Sequence, residues 1–141
     1  MKKITLIIFT ILTAVIWCSC TESESADISN VKIDYGVSEV YSKADIESAA
    51  MVVENKFKTF EGCNLYSLKY EGDDYCKDNL SYCKELDSSK EFIDCMVFKS
   101  KFRSPKNGGG NWEADTVYDD WEWFLAREKD GSWKLLTWGV G

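Results

Sequence analysis

The sequence predicts an α+β fold in which one long N-terminal helix packs on a curved antiparallel sheet of about four strands. A helical apolar period between Lys43 and Phe60 is followed, beyond Gly62, by stretches in which apolar and polar side chains alternate. The helix precedes the strands, and a helix with a single apolar stripe has to lie against one face of the sheet. We therefore expect one cone-like domain over residues 36–141, with a pocket at its inner end.

The helix is predicted from its start signal, its stripe and its stop signal. Ser42 is a suitable N-cap, and Asp45 completes an approximate capping box. Gly62 is a natural stop after the last turn. Steps of three and four separate the apolar residues of the stripe, which are Ile46, Ala49, Ala50, Val53, Phe57 and Phe60.

Alternation predicts strands at 63–70, 91–102, 117–128 and 133–138, with a hairpin turn at Asp130-Gly131. In the third strand, the alternation groups Tyr118 with Asp120, Glu122 and Phe124 on one face. Residues 71–90 are ambiguous, since 74–86 fits either a short helix or a loop. Residues 103–116 contain a run of three glycines and are expected to form a flexible connection.

The N-terminus has the pattern of an export signal. Lys2 and Lys3 precede an apolar run at 4–17, and these 14 residues are too few to span a bilayer as a helix. Ser19-Cys20 closes the run and resembles the lipobox of bacterial lipoproteins. This resemblance implies a signal peptide at 1–19 and a diacylglyceryl group on Cys20, so that the membrane is a partner through the lipid anchor. Ordinary cleavage with full secretion and an uncleaved anchor helix are the alternatives.

Charge and composition limit the classes of molecule that the domain can bind. The polar, acidic segment over residues 20–35 is expected to be a flexible tether. Residues 1–19 hold two lysines and no acidic residue, so their removal changes the net charge from −7 to −9. This charge and the lack of a basic patch argue against nucleic acid as a partner. Anionic lipid head groups would repel the domain, so the lipid has to provide the anchoring.

The chain contains no histidine. This excludes Ser-His-Asp and Cys-His catalysis as well as histidine-ligated metal sites. We expect neither a cofactor nor a metal. Six Trp, seven Tyr and seven Phe are available, and any aromatic cluster left on the surface would be a binding site.

Four cysteines, Cys63, Cys76, Cys83 and Cys95, fall in the predicted domain. Outside the cytoplasm they suggest disulfides, with three full pairings open. In one continuous helix Cys76 and Cys83 would lie about 10 Å apart, too far to bridge. If 71–90 is a loop, that bridge becomes feasible. The alternative to disulfides is that the cysteines stay free, buried thiols. A zinc site is disfavoured because the C-x₂-C spacing is missing.

Two sets of carboxylates invite a functional interpretation. Asp120 and Glu122 could bind a cation or act as acid and base on the strand that carries Tyr118, although a solvated strand face explains them as well. Asp94, with Tyr66 or Tyr70 nearby, would suit proton abstraction beside a carbonyl in the pocket.

Several segments between residues 41 and 139 match one known domain family. They are 42–46, 60–63, 65–70, 131–133, 138–139 and, most specific, Tyr118-Asp119-Asp120-Trp121-Glu122-Trp123-Phe124-Leu125-Ala126-Arg127. On these segments, the region 41–139 resembles an uncharacterised lipoprotein domain of low-GC Gram-positive bacteria in the nuclear-transport-factor-two-like superfamily. The resemblance implies the cone-like, cystatin-like fold and an exported protein, and it implies no catalytic residue.

These observations favour a non-enzymatic binding module on the extracytoplasmic face of the cell membrane, with a small molecule or an envelope protein as its ligand. The alternatives are a small cone-fold enzyme, of the isomerase or hydrolase type, and an envelope assembly protein that forms a homodimer through the open sheet face. An exposed aromatic patch would favour the binding module, and a carboxylate buried beside a tyrosine in the pocket would favour the enzyme.

Overall fold

The computed structural model describes residues 25–141, which form one mixed sheet with helices on both of its faces. The strand order in the sheet follows the chain, β1-β2-β3-β4-β5. The predicted signal peptide at 1–19 and the lipid site Cys20 lie outside the described residues. The elements are β1 (Lys32–Asp34), α1 (Lys43–Phe57), β2 (Asn64–Tyr70), α2 (Asp73–Asp78), α3 (Leu80–Leu86), β3 (Phe92–Arg103), β4 (Val117–Glu128) and β5 (Lys134–Val140).

The α+β class is confirmed, but the prediction of one helix followed by about four antiparallel strands is wrong in its detail. The described residues form five strands and three helices. The added strand β1 precedes α1 and pairs with β2 in parallel. Within residues 25–141, no helix combines the length and the apolarity needed to cross a bilayer.

The segment from Asp27 to Asp34, which ends in β1, is docked on the sheet and corrects the predicted tether. The backbone N–H of Asp27 donates to the carbonyl of Cys63 at 2.8 Å, and Leu65 donates back to Asp27 at 2.9 Å. Farther along, Ile33 lies opposite Leu68 in the parallel pairing. Val31 and Ile33 pack against the core, so the scattered apolar residues of this segment serve to dock it. The folded domain therefore begins before residue 36.

α1 buries the predicted stripe and ends earlier than predicted. The Ser42 hydroxyl accepts a hydrogen bond from the Asp45 backbone N–H at 3.1 Å, which caps the first turn. Ile46, Ala49, Ala50, Val53 and Phe57 are buried. The helix ends at Phe57, and Phe60 is buried from the turn that follows. The part of the sheet that α1 covers therefore ends at Phe57.

The sheet has a front face, which packs against α1, and a back face, which packs against α2 and α3. On the front, the Phe57 ring lies 5.3 Å from Phe102 and 6.4 Å from Trp123. On the back, the Tyr82 ring of α3 lies 5.2 Å from Phe124. The ambiguous segment 71–90 thus contains two short helices, which cover β3 and β4. The homodimer hypothesis needs an open apolar sheet face, and α2 and α3 occupy the back face at this place.

Candidate functional site

A groove of about 320 Å³ on the front face is lined by aromatic side chains. We call it the aromatic groove, and its lining residues are Asn111, Trp112, Tyr118, Trp121 and Trp138. Trp138 is 37% exposed, and the other three rings are half-buried. Large aromatic side chains that stay in contact with solvent in one place are typical of binding surfaces.

A β-bulge brings Tyr118 and Trp121 to the same face. Ser100 pairs with Trp121 and Phe102 pairs with Tyr118, so β4 contains one more residue than β3 between these two pairs. Strict alternation predicted that Tyr118 shares a face with Asp120, and this prediction is wrong. The extra residue rotates Tyr118 onto the front face, where its ring stacks on Phe102 at 5.1 Å and 15°.

The rings of the groove are fixed by one another. Trp112 lies 5.5 Å from Tyr118 and 5.4 Å from Trp121, at interplanar angles of 69° and 60°. Tyr118 and Trp121 meet at 5.8 Å and 80°. Such inclined pairs are favoured by the quadrupoles of the rings. The walls are therefore preorganised, which lowers the entropic cost of binding a ligand.

The glycine-rich loop after β3 carries one wall of the groove. Gly108, Gly109 and Gly110 all have positive φ, and the Trp112 N–H donates to the Gly109 carbonyl at 3.0 Å. A Cβ on Gly108 would lie 3.0 Å from the carbonyl oxygen of Trp112. At the base of the loop, the Ser104 hydroxyl accepts from the backbone N–H of Thr116 at 2.9 Å. The connection predicted to be flexible is thus a shaped turn that presents Trp112 to the groove.

One buried polar group and one neighbouring cation give the groove its electrostatic character. The indole N–H of Trp121 is buried and has no hydrogen-bond partner among the described residues. The ammonium of Lys56 lies 4.5 Å from the centre of the Trp138 ring, in cation–π distance. One ring face of Trp138 therefore already has a cation, while the lining side chains themselves carry no charge.

Of the predicted pocket residues, only Tyr118 lies in the aromatic groove. Tyr66 accepts a hydrogen bond from the Arg103 guanidinium at 3.1 Å. Tyr70 donates to the Asp73 carboxylate at 2.7 Å, and burial raises its pKa. Neither tyrosine hydroxyl is hydrogen-bonded to Asp94, whose carboxylate is bound by Arg127.

Asp94 belongs to an ion-pair network at the other end of the front face. The Arg127 guanidinium donates to Asp94 at 2.8 Å and to Asp45 at 2.9 Å. It also lies 4.4 Å from the Trp133 ring centre. The hydrogen bond from Arg127 holds the pKa of Asp45 below its usual value. This network fastens the start of α1 to β4.

Asp120 and Glu122 meet a lysine. The Lys99 ammonium lies 3.0 Å from Asp120 and 3.7 Å from Glu122. Glu122 is buried and accepts a hydrogen bond from the Tyr75 hydroxyl at 2.6 Å, which raises the pKa of Tyr75 to about 12. This tyrosine and carboxylate lie on the back face, away from the groove. Their contacts tie α2 to the sheet.

All four cysteines of the described domain are buried thiols. Cys76 accepts a hydrogen bond from the backbone N–H of Val97 at 3.3 Å. Burial raises the pKa of Cys63 and of Cys76 to about 11, so both stay protonated at neutral pH. Cys83 and Cys95 are in direct contact. The structure thus separates the four thiols into two isolated ones and one pair.

A second cavity, of about 380 Å³, lies beside the first residues of β3, which do not pair with β2. Its rim includes Asp73, Asp74 and Asp94, together with Lys77. Over residues 25–141, no group of three or more His, Cys, Asp or Glu side chains is arranged to hold a metal ion. The carboxylates of Asp73 and Asp94 are engaged by Tyr70 and Arg127.

Sequence reasoning did not identify Trp112, Trp121, Trp138 or Lys56 as site residues. Alternation along 117–128 places Trp121 on the face opposite Tyr118 and Asp120, and Trp112 lies in a connection. A tryptophan that follows a glycine run outside any predicted strand is the signal that could have pointed to the groove. In comparisons with known proteins, no family model, no curated protein and no solved structure significantly matches the chain.

Proposed function

We propose that this chain is an exported lipoprotein, anchored through Cys20, whose domain is a non-enzymatic binding module with the aromatic groove as its ligand site. The single observation that carries the binding role is the groove itself, in which three tryptophans and a tyrosine remain accessible to solvent. Ligand sites are concave and mostly apolar, with a few polar groups that orient the ligand.

The chemistry of the lining favours a neutral ligand with one apolar face, such as a sugar ring. The C–H face of a pyranose stacks on an indole, while its hydroxyls bond to amides and phenols such as Asn111 and Tyr118. A quaternary ammonium ion is disfavoured, because the Lys56 ammonium lies 4.5 Å from the Trp138 ring centre. An anionic polymer is disfavoured by the net charge of −9 that remains after the removal of residues 1–19. We therefore assign neutral saccharides as the ligand class.

A titration with defined sugars tests this assignment. The chain, purified in detergent, is titrated with maltotriose, cellotriose and the trimer of N-acetylglucosamine, with tryptophan fluorescence and calorimetry as readouts. We expect at least one trisaccharide to bind saturably. Trp138→Ala should weaken that binding roughly 30-fold, which corresponds to about 2 kcal/mol for a central aromatic contact.

Tyr82→Ala is the matched control, since Tyr82 is 43% exposed and packs on Phe124 of the back face. It removes an exposed ring without touching the groove, so its affinity should equal that of the wild type. The absence of binding by all three sugars, or an equal loss of affinity in both variants, would contradict the assignment.

The anchoring through Cys20 has its own test. A clickable fatty-acid probe fed to cells that express the chain should label the wild type. Cys20→Ser should lose the label and leave the membrane fraction, because a diacylglyceryl group supplies most of the membrane affinity. A wild-type chain that stays unlabelled, or a variant with unchanged fractionation, would contradict the anchor. The relation to the nuclear-transport-factor-two-like lipoprotein family stays a prediction, and the ligand assignment does not depend on it.

A further inference from the structure

Two of the buried thiols meet on the back face of the sheet. The Sγ atoms of Cys83, on α3, and Cys95, on β3, are 3.0 Å apart. The side chains are 0% and 2% exposed, respectively. This distance is about 1 Å longer than a covalent S–S bond, so the two sulfurs have to approach by only about 1 Å to form a bridge.

The break between α2 and α3 is what brings Cys83 to this place. α2 ends at Asp78 and α3 begins at Leu80, so Cys76 and Cys83 do not follow one helical stripe. Cys76 points to the backbone N–H of Val97, in the part of β3 that does not pair with β2. Cys83 instead turns toward the middle of the back face, beside the contact of Tyr82 with Phe124. Of the pairings left open by the sequence, the structure favours one partner for Cys83.

We propose that Cys83 and Cys95 form a structural disulfide when the chain folds in an oxidising environment, while Cys63 and Cys76 remain thiols. The two cysteines are 12 positions apart in the chain, so the bridge closes a short loop that fastens α3 to β3. Short loops of this kind restrict the unfolded chain and stabilise the folded one.

The oxidant is an external disulfide, either of a small thiol such as glutathione or of an exported thiol oxidoreductase. The Cys83 thiolate attacks one sulfur of this disulfide, which forms a mixed disulfide and releases the first acceptor thiol. Cys95 then gives up its proton and attacks Cys83 Sγ, which releases the second acceptor thiol. The cysteine pair loses two electrons and two protons, and the acceptor gains them.

The burial of both thiols decides when the bridge can form. In the folded domain the contact with Cys95 lowers the pKa of Cys83, and the same contact, together with burial, raises the pKa of Cys95. Because both sulfurs are shielded in the folded domain, the external disulfide has to react before α3 docks on the sheet. We therefore expect the bridge to form during folding and to resist reductants until the domain unfolds.

Peptide mapping tests the pairing directly, because trypsin places each cysteine of the domain on its own peptide. These peptides are 59–69, 70–77, 78–84 and 91–99. The full-length chain is unfolded, refolded in a mixture of reduced and oxidised glutathione, alkylated under denaturing conditions without reductant, and digested. We expect a linked pair of 78–84 with 91–99, and alkylation of Cys63 and Cys76. Four alkylated cysteines, or a link that includes 70–77 or 59–69, would overturn the proposal.

Serine variants separate the pair from its neighbour. Cys76→Ser should keep the link, whereas Cys83→Ser and Cys95→Ser should each abolish it. Unfolding and refolding in the presence of a reductant should lower the Tm of the wild type and of Cys76→Ser by on the order of 10 °C. It should leave the Tm of Cys83→Ser and of Cys95→Ser unchanged. A reductant effect that persists in either of these two variants would contradict the pairing.

Discussion

Phe102 is the floor of the aromatic groove, and its replacement by leucine tests whether ring contacts hold the groove together. Its side chain is 0% exposed. Phe98, on the same strand and the same face, is also 0% exposed and therefore provides a matched control. The ring of Phe98 has a ring neighbour in Tyr70 at 6.1 Å. Around Phe102 lie the rings of Phe57, Phe60, Trp112, Tyr118 and Trp121.

The same substitution at both positions removes a similar apolar volume, so the transfer and cavity costs largely cancel. Each well-oriented aromatic pair adds about 0.5–1.5 kcal/mol beyond its buried area, and such contributions around one ring are not additive. We therefore expect Phe102→Leu to reduce the free energy of unfolding by about 1–2 kcal/mol more than Phe98→Leu. In a domain of this size, the corresponding difference in Tm is roughly 5–10 °C.

Urea unfolding, followed by far-ultraviolet circular dichroism, measures both variants against the wild type. The m-value has to stay constant for the comparison, because a change in m would indicate a change in the surface exposed on unfolding. An equal loss of stability in the two variants would refute the reasoning. A larger loss in Phe98→Leu would do so as well.

Three further predictions concern single positions. Gly62→Ala should destabilise the domain by about 1–2 kcal/mol because of its φ of +71°, whereas Gly139→Ala, in open space, should be nearly neutral in urea unfolding. The pKa of Asp45 lies below the ordinary 3.8 in the folded state. The ionised carboxylate therefore stabilises the fold above pH 3.8, and this contribution is lost as the pH falls through the lowered pKa. Asp45→Asn should therefore flatten the acid-unfolding curve, and an unchanged slope would contradict the ion pair. Trp121→Phe should cost less than about 1 kcal/mol because it removes a buried indole N–H that has no hydrogen-bond partner within residues 25–141. Trp123→Phe, which breaks a hydrogen bond of 2.8 Å, should cost about 2–4 kcal/mol, and the reverse order would refute this.

Local periodicity was sufficient to predict α1 and the two long strands, because their patterns extend over many residues. α1 begins at Lys43 as predicted, and β4 spans Val117–Glu128 as predicted. β1 escaped prediction because three residues carry little periodicity and their pairing depends on β2, more than 30 residues farther on. The bulge at Tyr118 depends in the same way on a partner strand, so alternation within β4 could not reveal it.

The groove is harder to predict than any single element, because its walls come from three places in the chain. Trp112 belongs to a loop, Tyr118 and Trp121 to β4, and Trp138 to β5. Sequence spacing does not show that these segments meet. Titratable residues were the more conspicuous signal of a site in the sequence. In the folded domain, however, Asp94 and Asp120 are engaged in ion pairs, whereas the uncharged rings of the groove remain accessible.

The two proposed sites lie on opposite faces of one sheet, and this arrangement predicts that they are energetically independent. The rings of the groove pack on Phe102, on the front face. The cysteine pair lies on the back face, where the side chains of Cys95 and Val97 point. Effects at well-separated positions without shared partners are generally additive. Reduction of the Cys83–Cys95 bridge should therefore lower the Tm and leave the saccharide affinity unchanged at a temperature where both forms are folded. A change in affinity on reduction would mean that β3 shifts as a unit, and that α3 sets the position of the groove from across the sheet.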